Sequence, residues 1–236
     1  MNISSVAGRL FDSYFADVLN GTSIEYSWKA SERTWDELGT GFRPDPSEDP
    51  ATQNRALKRH IAQIWSVASR WEKVRLATWV VRDWGGIRAN APETLAAYVD
   101  LADATEPDLP IKGVASYSKV LTFTQPEKYA IYDARVAASL LALQLIFVPA
   151  EEWLFFTQVA GRNKRIEAFK TRFRQAHPRA RGFNKIPKAN VYSTYLNLLN
   201  ALAGFSDQFS IEDFEMVLFA QSEVLCQVAT ARLDAG

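Results

Sequence analysis

The fold turns on the stretch "IKGVASYSKVLTFTQPEKYAIYDARVAASL", Ile111 to Leu140. A glycine at 113 interrupts the chain, and apolar residues then recur at helical spacing, which predicts a helix over Ser116 to Phe123. Pro126 stops that helix. Asp133 stands where a carboxylate accepts the first N–H groups of a second helix, Asp133 to Phe147. Lys119, inside the first helix, and Asp133, at the mouth of the second, are the polar residues to explain. Taken singly they have ordinary readings: a surface lysine, or one paired with Glu127 or Asp133, and a helix cap.

The rest of the chain is of the same kind. Helical periodicity predicts helices over Ile3 to Leu19, Thr52 to Trp84 in one or two pieces, Pro92 to Ala104, Asn163 to Ala176, Lys188 to Leu202 and Ile211 to Arg232. No alternating pattern marks a strand ladder, so the fold class is all-α. Gly85 and Gly86 read as a helix stop, Asn90 as the cap of the next helix, and Ser210 with Asp213 as a capping pair. Gly21 to Pro50, with its Gly, Pro and acidic residues, reads as a long loop or a short extended segment. The 236 residues, 47% of them apolar, suffice for a single helical domain.

Composition removes several function classes. The longest apolar run, Ala137 to Val148, is broken by Gln144 and falls short of the roughly 20 residues a membrane span needs. The N-terminus lacks the basic start and apolar middle of a secretion signal, and the single cysteine, Cys226, allows no disulfide framework, so a cytoplasmic monomer is expected. Two histidines and one cysteine at no ligand spacing argue against a metal site, and no cofactor is expected. The net charge is zero, yet Arg162 to Lys188 holds ten cations and one acid, +9 against −9 for the remainder. Such asymmetry suits either a phosphate-facing surface or a solvated helix and loop.

The string "LPIKGVASYSKVL" followed by "AIYDARV" resembles the helix-hairpin-helix superfamily of DNA glycosylases, and is most similar to compact prokaryotic 8-oxoguanine-glycosylase-like proteins. The resemblance covers about residues 109 to 140, within a hairpin and aspartate element at about 105 to 147. Ala115 replaces the second hairpin glycine, and Tyr117 stands where the family's lysine stands, with Lys119 two residues later. The absence of a cysteine cluster argues against the iron–sulfur branch.

The resemblance implies two helical lobes around a cleft and an enzyme that flips a damaged or modified base out of duplex DNA and breaks its N-glycosidic bond. The substrate would be 8-oxoguanine-like, or a hypermodified base such as those of bacteriophage DNA, which would place the protein in DNA repair or phage defence. Asp133 would stabilise the oxocarbenium-like sugar, and Lys119 would attack C1′ and allow β-elimination. The hairpin residues Lys112, Gly113, Val114, Ala115 and Ser116, together with Arg135, Arg179, Arg181, Lys185 and Lys188, would hold DNA. Trp84, Phe123, Tyr129 and Tyr132 are candidates for the base pocket. Two other readings remain open: a non-catalytic helix-hairpin-helix DNA-binding module, and an all-α interaction domain that presents its basic segment to an acidic protein.

Overall fold

The computed structural model describes residues 2–21, 26–28 and 31–235. In chain order its helices begin with α1 (Ile3–Leu10), a π-helical turn (Phe11–Phe15) and α2 (Ala16–Asn20). Next come α3 (Glu32–Leu38), α4 (Pro50–Val67), α5 (Arg70–Thr78) with a second π turn (Trp79–Trp84), α6 (Pro92–Asp103) and α7 (Val114–Thr124). The chain ends with α8 (Ala134–Phe147), α9 (Lys164–Ala176), α10 (Val191–Ala203), α11 (Ile211–Ala220) and α12 (Ser222–Ala235). The chain is mostly helical, as the periodicity predicted. Among the described residues no helix is long and apolar enough to cross a membrane.

Two compact units form. One gathers the N-terminal segment, Leu109–Lys112 and the chain from Tyr132 onward; the other gathers Tyr26–Asp108 and Gly113–Ile131. The first unit is built around α8, whose residues Val136 to Ile146 are all buried beneath α1, α9, α11 and α12. A helix buried on every face tolerates a polar residue only when each of its groups is bonded. Gln144 meets that condition: its Oε1 accepts Leu154 N at 2.6 Å, and its Nε2 donates to Leu140 O at 2.9 Å and Leu154 O at 3.0 Å. The amide that interrupts the apolar run thus pins β1 (Leu154–Phe155), which pairs in parallel with β2 (Asn184–Lys185). This short pairing joins distant segments and has no alternating signature in the sequence.

The second unit is built around α7, packed by α4, α6 and the Trp79–Trp84 turn. Residues Ser116 to Thr124 are all buried, so α7 too is enclosed. The helical stretch Thr52 to Trp84, expected in one or two pieces, is two helices, divided where Ser69 caps α5 in a capping box with Glu72. Within the expected loop Gly21 to Pro50, residues 22–25 and 29–30 lie outside the described residues. The remainder contains α3, which starts at the Ser31 cap, buries Trp35 and Leu38, and stops at Gly39 with φ 68°. Trp79 Nε1 donates to Thr34 O at 2.7 Å and fastens α3 to the π turn.

His60 of α4 stacks on Phe42 at 4.7 Å and shares a 3.0 Å hydrogen bond with Thr40 Oγ1. Burial lowers its pKa below the ordinary 6.5, so the fold favours the neutral ring. The unfolded chain therefore takes up the proton first as pH falls through 6.5, and stability declines below that value. Thermal melts taken between pH 7 and pH 5 should show a falling Tm that is shallower in His60→Gln. An equal fall in both proteins would exclude His60 as the cause.

Candidate functional site

Lys119 and Asp133 fall in different units, and each is built by its own surroundings. Lys119 is 5% exposed in the middle of α7, and its Nζ donates to Ala115 O at 2.9 Å, one turn back. Gly85, just beyond the Trp79–Trp84 turn, leaves room for the lysine stem. A Cβ there would lie 2.8 Å from Lys119 Cδ and 2.9 Å from the carbonyl oxygens of Val80 and Val81. The sequence marks Gly85 as a helix stop; the carbonyls of Val80 and Val81 and the Lys119 stem add a steric requirement that a side chain would violate.

The start of α7 is also fixed by a glycine. Gly113 has φ 81°, a left-handed conformation that side chains disfavour, and a Cβ would lie 2.7 Å from the Tyr98 hydroxyl. No side chain caps α7; the first helical bonds run from Ser116 N and Tyr117 N to Gly113 O. The N–H groups of Gly113, Val114 and Ala115 precede them, which is the arrangement that suits an anion. The Val114 and Ser116 side chains are buried, so at these two positions only the backbone is able to meet a ligand. Asn90, expected as the cap of α6, is instead spent here: Ala91 occupies the cap position, and Asn90 Nδ2 donates to Ser116 Oγ at 3.0 Å. Tyr117 is buried, and burial raises its phenol far above the usual range.

Asp133 is the cap of α8. It is half-buried, in extended conformation, and its Oδ1 accepts Arg135 N at 2.9 Å and Val136 N at 3.2 Å. Gly161 passes so close that a Cβ would lie 2.6 Å from that of Ala134. Beneath the cap, Tyr132 is buried against Tyr195 at 5.1 Å, with its hydroxyl donating to Thr157 O at 2.9 Å. Burial holds the Tyr195 phenol well above its ordinary value, and the negative charges of Glu215 and Asp133 push the same way. Arg135, expected to face DNA, is engaged inside its unit. It donates to Ser222 Oγ at 3.1 Å and Glu223 at 3.3 Å and lies over the Phe219 ring.

All four aromatic candidates for the base pocket are buried: Trp84 and Phe123 edge to face at 4.7 Å, Tyr129 near Lys128, and Tyr132 as above. Trp28, which sequence reading passed over inside the supposed loop, is 36% exposed and meets Trp84 edge-on at 5.9 Å. An aromatic backed by a buried aromatic and open on part of its surface is the form a stacking platform takes. Its single sequence signal is a tryptophan in a polar stretch.

The basic segment is thinned by internal pairing. Arg165 bonds Glu223 at 2.9 Å, buried Lys170 bonds Glu167 and Val159 O at 2.6 Å each, and Arg172 pairs with Asp234. Arg179, Arg181, Lys185 and Lys188 are exposed, and among the described residues none of the four forms an ion pair; Lys112 is exposed as well. The lone thiol, Cys226, is buried, which raises its pKa to about 12 and leaves it inert at neutral pH.

Two stability outcomes follow. Asp133→Ala should cost about 1 kcal/mol through loss of the cap, whereas Asp133→Asn, an equally good cap, should be near neutral in chemical denaturation; equal losses would show that the carboxylate charge, not the cap, holds α8. Gly85→Ala should lower Tm and raise the acylation of Lys119 by an amine reagent, read by mass spectrometry against Lys112. Unchanged labelling would show that Gly85 does not confine the lysine. In comparisons with known proteins, no family model, curated protein or solved structure matches this chain.

Proposed function

We propose that the protein is a DNA glycosylase of the helix-hairpin-helix type, which excises a damaged or modified base. The observation that carries this reading is Lys119: an amine enclosed at 5% exposure in the middle of the hairpin helix, with a glycine kept clear for its stem. Burying an ammonium group is costly, so the enclosure that holds Lys119 against Ala115 O also favours the neutral, nucleophilic form of an amine.

The chemistry assigns each residue a role. Asp133 supplies the negative charge that stabilises a sugar whose C1′ turns cationic as the base departs. A neutral Lys119 has two N–H groups and a lone pair, so it can keep Ala115 O with one N–H while the lone pair bonds to C1′. The C1′–N bond to the base breaks, the base leaves with that electron pair and takes one of the two amine protons, and the other passes to O4′ as the C1′–O4′ bond breaks and the nitrogen lone pair forms the C=N bond of a Schiff base. The N–H groups at the start of α7 and the exposed cations of the 179–188 segment suit DNA phosphates. Trp28 offers a face to the displaced base.

The test uses duplex oligonucleotides bearing a panel of modified bases, including 8-oxoguanine and glycosylated hydroxymethylcytosine, with and without borohydride. One substrate should yield an abasic site. Asp133→Asn should slow excision by about 10²-fold or more without unfolding the protein, and Lys119→Ala should abolish the trapped adduct. Excision unaffected by Asp133→Asn would overturn the assignment. A second reading, a DNA-binding module without excision, is favoured by one observation: Asp133 Oδ1 is engaged as in an ordinary helix cap. It predicts tight duplex binding, no product from any base, and no change on Asp133→Asn.

A further inference from the structure

The loop after α9 contains a backbone feature that its sequence does not explain. Arg181 N bonds Pro178 O at 3.1 Å across a turn whose two central residues, Arg179 (φ 53°, ψ 31°) and Ala180 (φ 56°), are both left-handed. A turn of this I′ kind favours Asn-Gly at its centre, because side chains at left-handed φ are strained. Arg-Ala is a poor choice. Ala180 is compensated in part, since its methyl group is buried. Arg179 is exposed, so burial of its side chain does not offset the strain.

The turn is nevertheless held firmly at its base. His177 Nδ1–H donates to Arg181 O at 3.1 Å, and the imidazole stacks on Phe173 at 5.3 Å. Just beyond the turn, Phe183 stacks on Trp153 at 4.8 Å, and Asn184 N donates to Trp153 O at 2.7 Å. Strain that persists in an otherwise over-determined loop marks a position where the side chain serves a purpose other than folding. At Arg179 that property is its charge.

We propose that the Pro178–Arg181 turn is a dedicated phosphodiester-binding element, in which Arg179 is kept at a strained apex to contact one backbone phosphate of duplex DNA. The proposal rests on the DNA reading above and does not depend on excision. The nearby cations Arg181 and Lys185 add charge of the same sign, and among the described residues neither forms an ion pair.

Three variants test it: Arg179→Asn, which suits the left-handed conformation and removes the charge; Arg179→Lys, which keeps the charge; and Ala180→Gly, which relieves the neighbouring strain. Each is measured for Tm and for affinity to an unmodified duplex across a salt series. Arg179→Asn should raise Tm by about 2–4 °C, weaken binding roughly tenfold and reduce the slope of log affinity against log salt by about one. Arg179→Lys should retain the slope, and Ala180→Gly should retain both slope and affinity. A higher Tm with unchanged affinity and slope in Arg179→Asn would overturn the proposal, even if a modified base is still excised by that variant. Weakened binding in a protein that excises nothing would support the turn and reject the glycosylase. No duplex binding by the wild-type protein at about 50 mM salt would overturn both.

Discussion

A helix enclosed on every side must settle its ends with the groups around it, because water reaches them poorly and the first N–H groups have no partner within the helix. Both units are organised around such a helix, and the two ends are settled differently. At α8 the answer is a carboxylate, with Asp133 taking two N–H groups on one oxygen. At α7 it is a left-handed glycine, and no side chain caps the first N–H groups.

Enclosure also accounts for the part of the structure that was legible in advance. The glycine at 113, the proline at 126, the aspartate at 133 and the Ser210–Asp213 pair act over three or four residues, and each appears where the sequence puts it. The helix α3 had its signals too, a serine cap at 31 and a glycine stop at 39, but seven residues give too few turns for periodicity to register. What was not legible depends on partners far along the chain. Arg172 pairs with Asp234, Arg165 and Arg135 share Glu223, and Asn90, next to the cap position, bonds Ser116 instead. Local spacing carries no trace of these pairings, so part of the charge of a segment that reads as ten cations is offset by acids far along the chain.

The aromatic residues illustrate the same limit from the other side. Adjacency to the hairpin suggested Trp84, Phe123, Tyr129 and Tyr132, yet adjacency in a compact unit mostly means burial, and all four are core. Trp28 and Trp71 are the tryptophans with substantial exposure among the described residues, at 36% and 73%, and neither was among the pocket candidates. For Trp28 the decisive information is the ring behind it, Trp84, fifty-six residues later in the chain.

The Trp79–Trp84 turn has a consequence for the history of the chain. Its wide register, with Gly85 N bonded to Val80 O and Ile87 N to Val81 O, accommodates one residue more than a regular helix would. Deleting that residue would rotate everything before it by about 100° relative to Gly85. Trp79 would then turn away from Thr34, and α3 would lose its fastening. A relative of this protein without the wide turn should therefore show a one-residue gap inside a helix, where insertions are rarest, together with compensating changes at the tryptophan and at α3. A gap of that kind would date the arrangement around the buried lysine more directly than similarity along the rest of the chain.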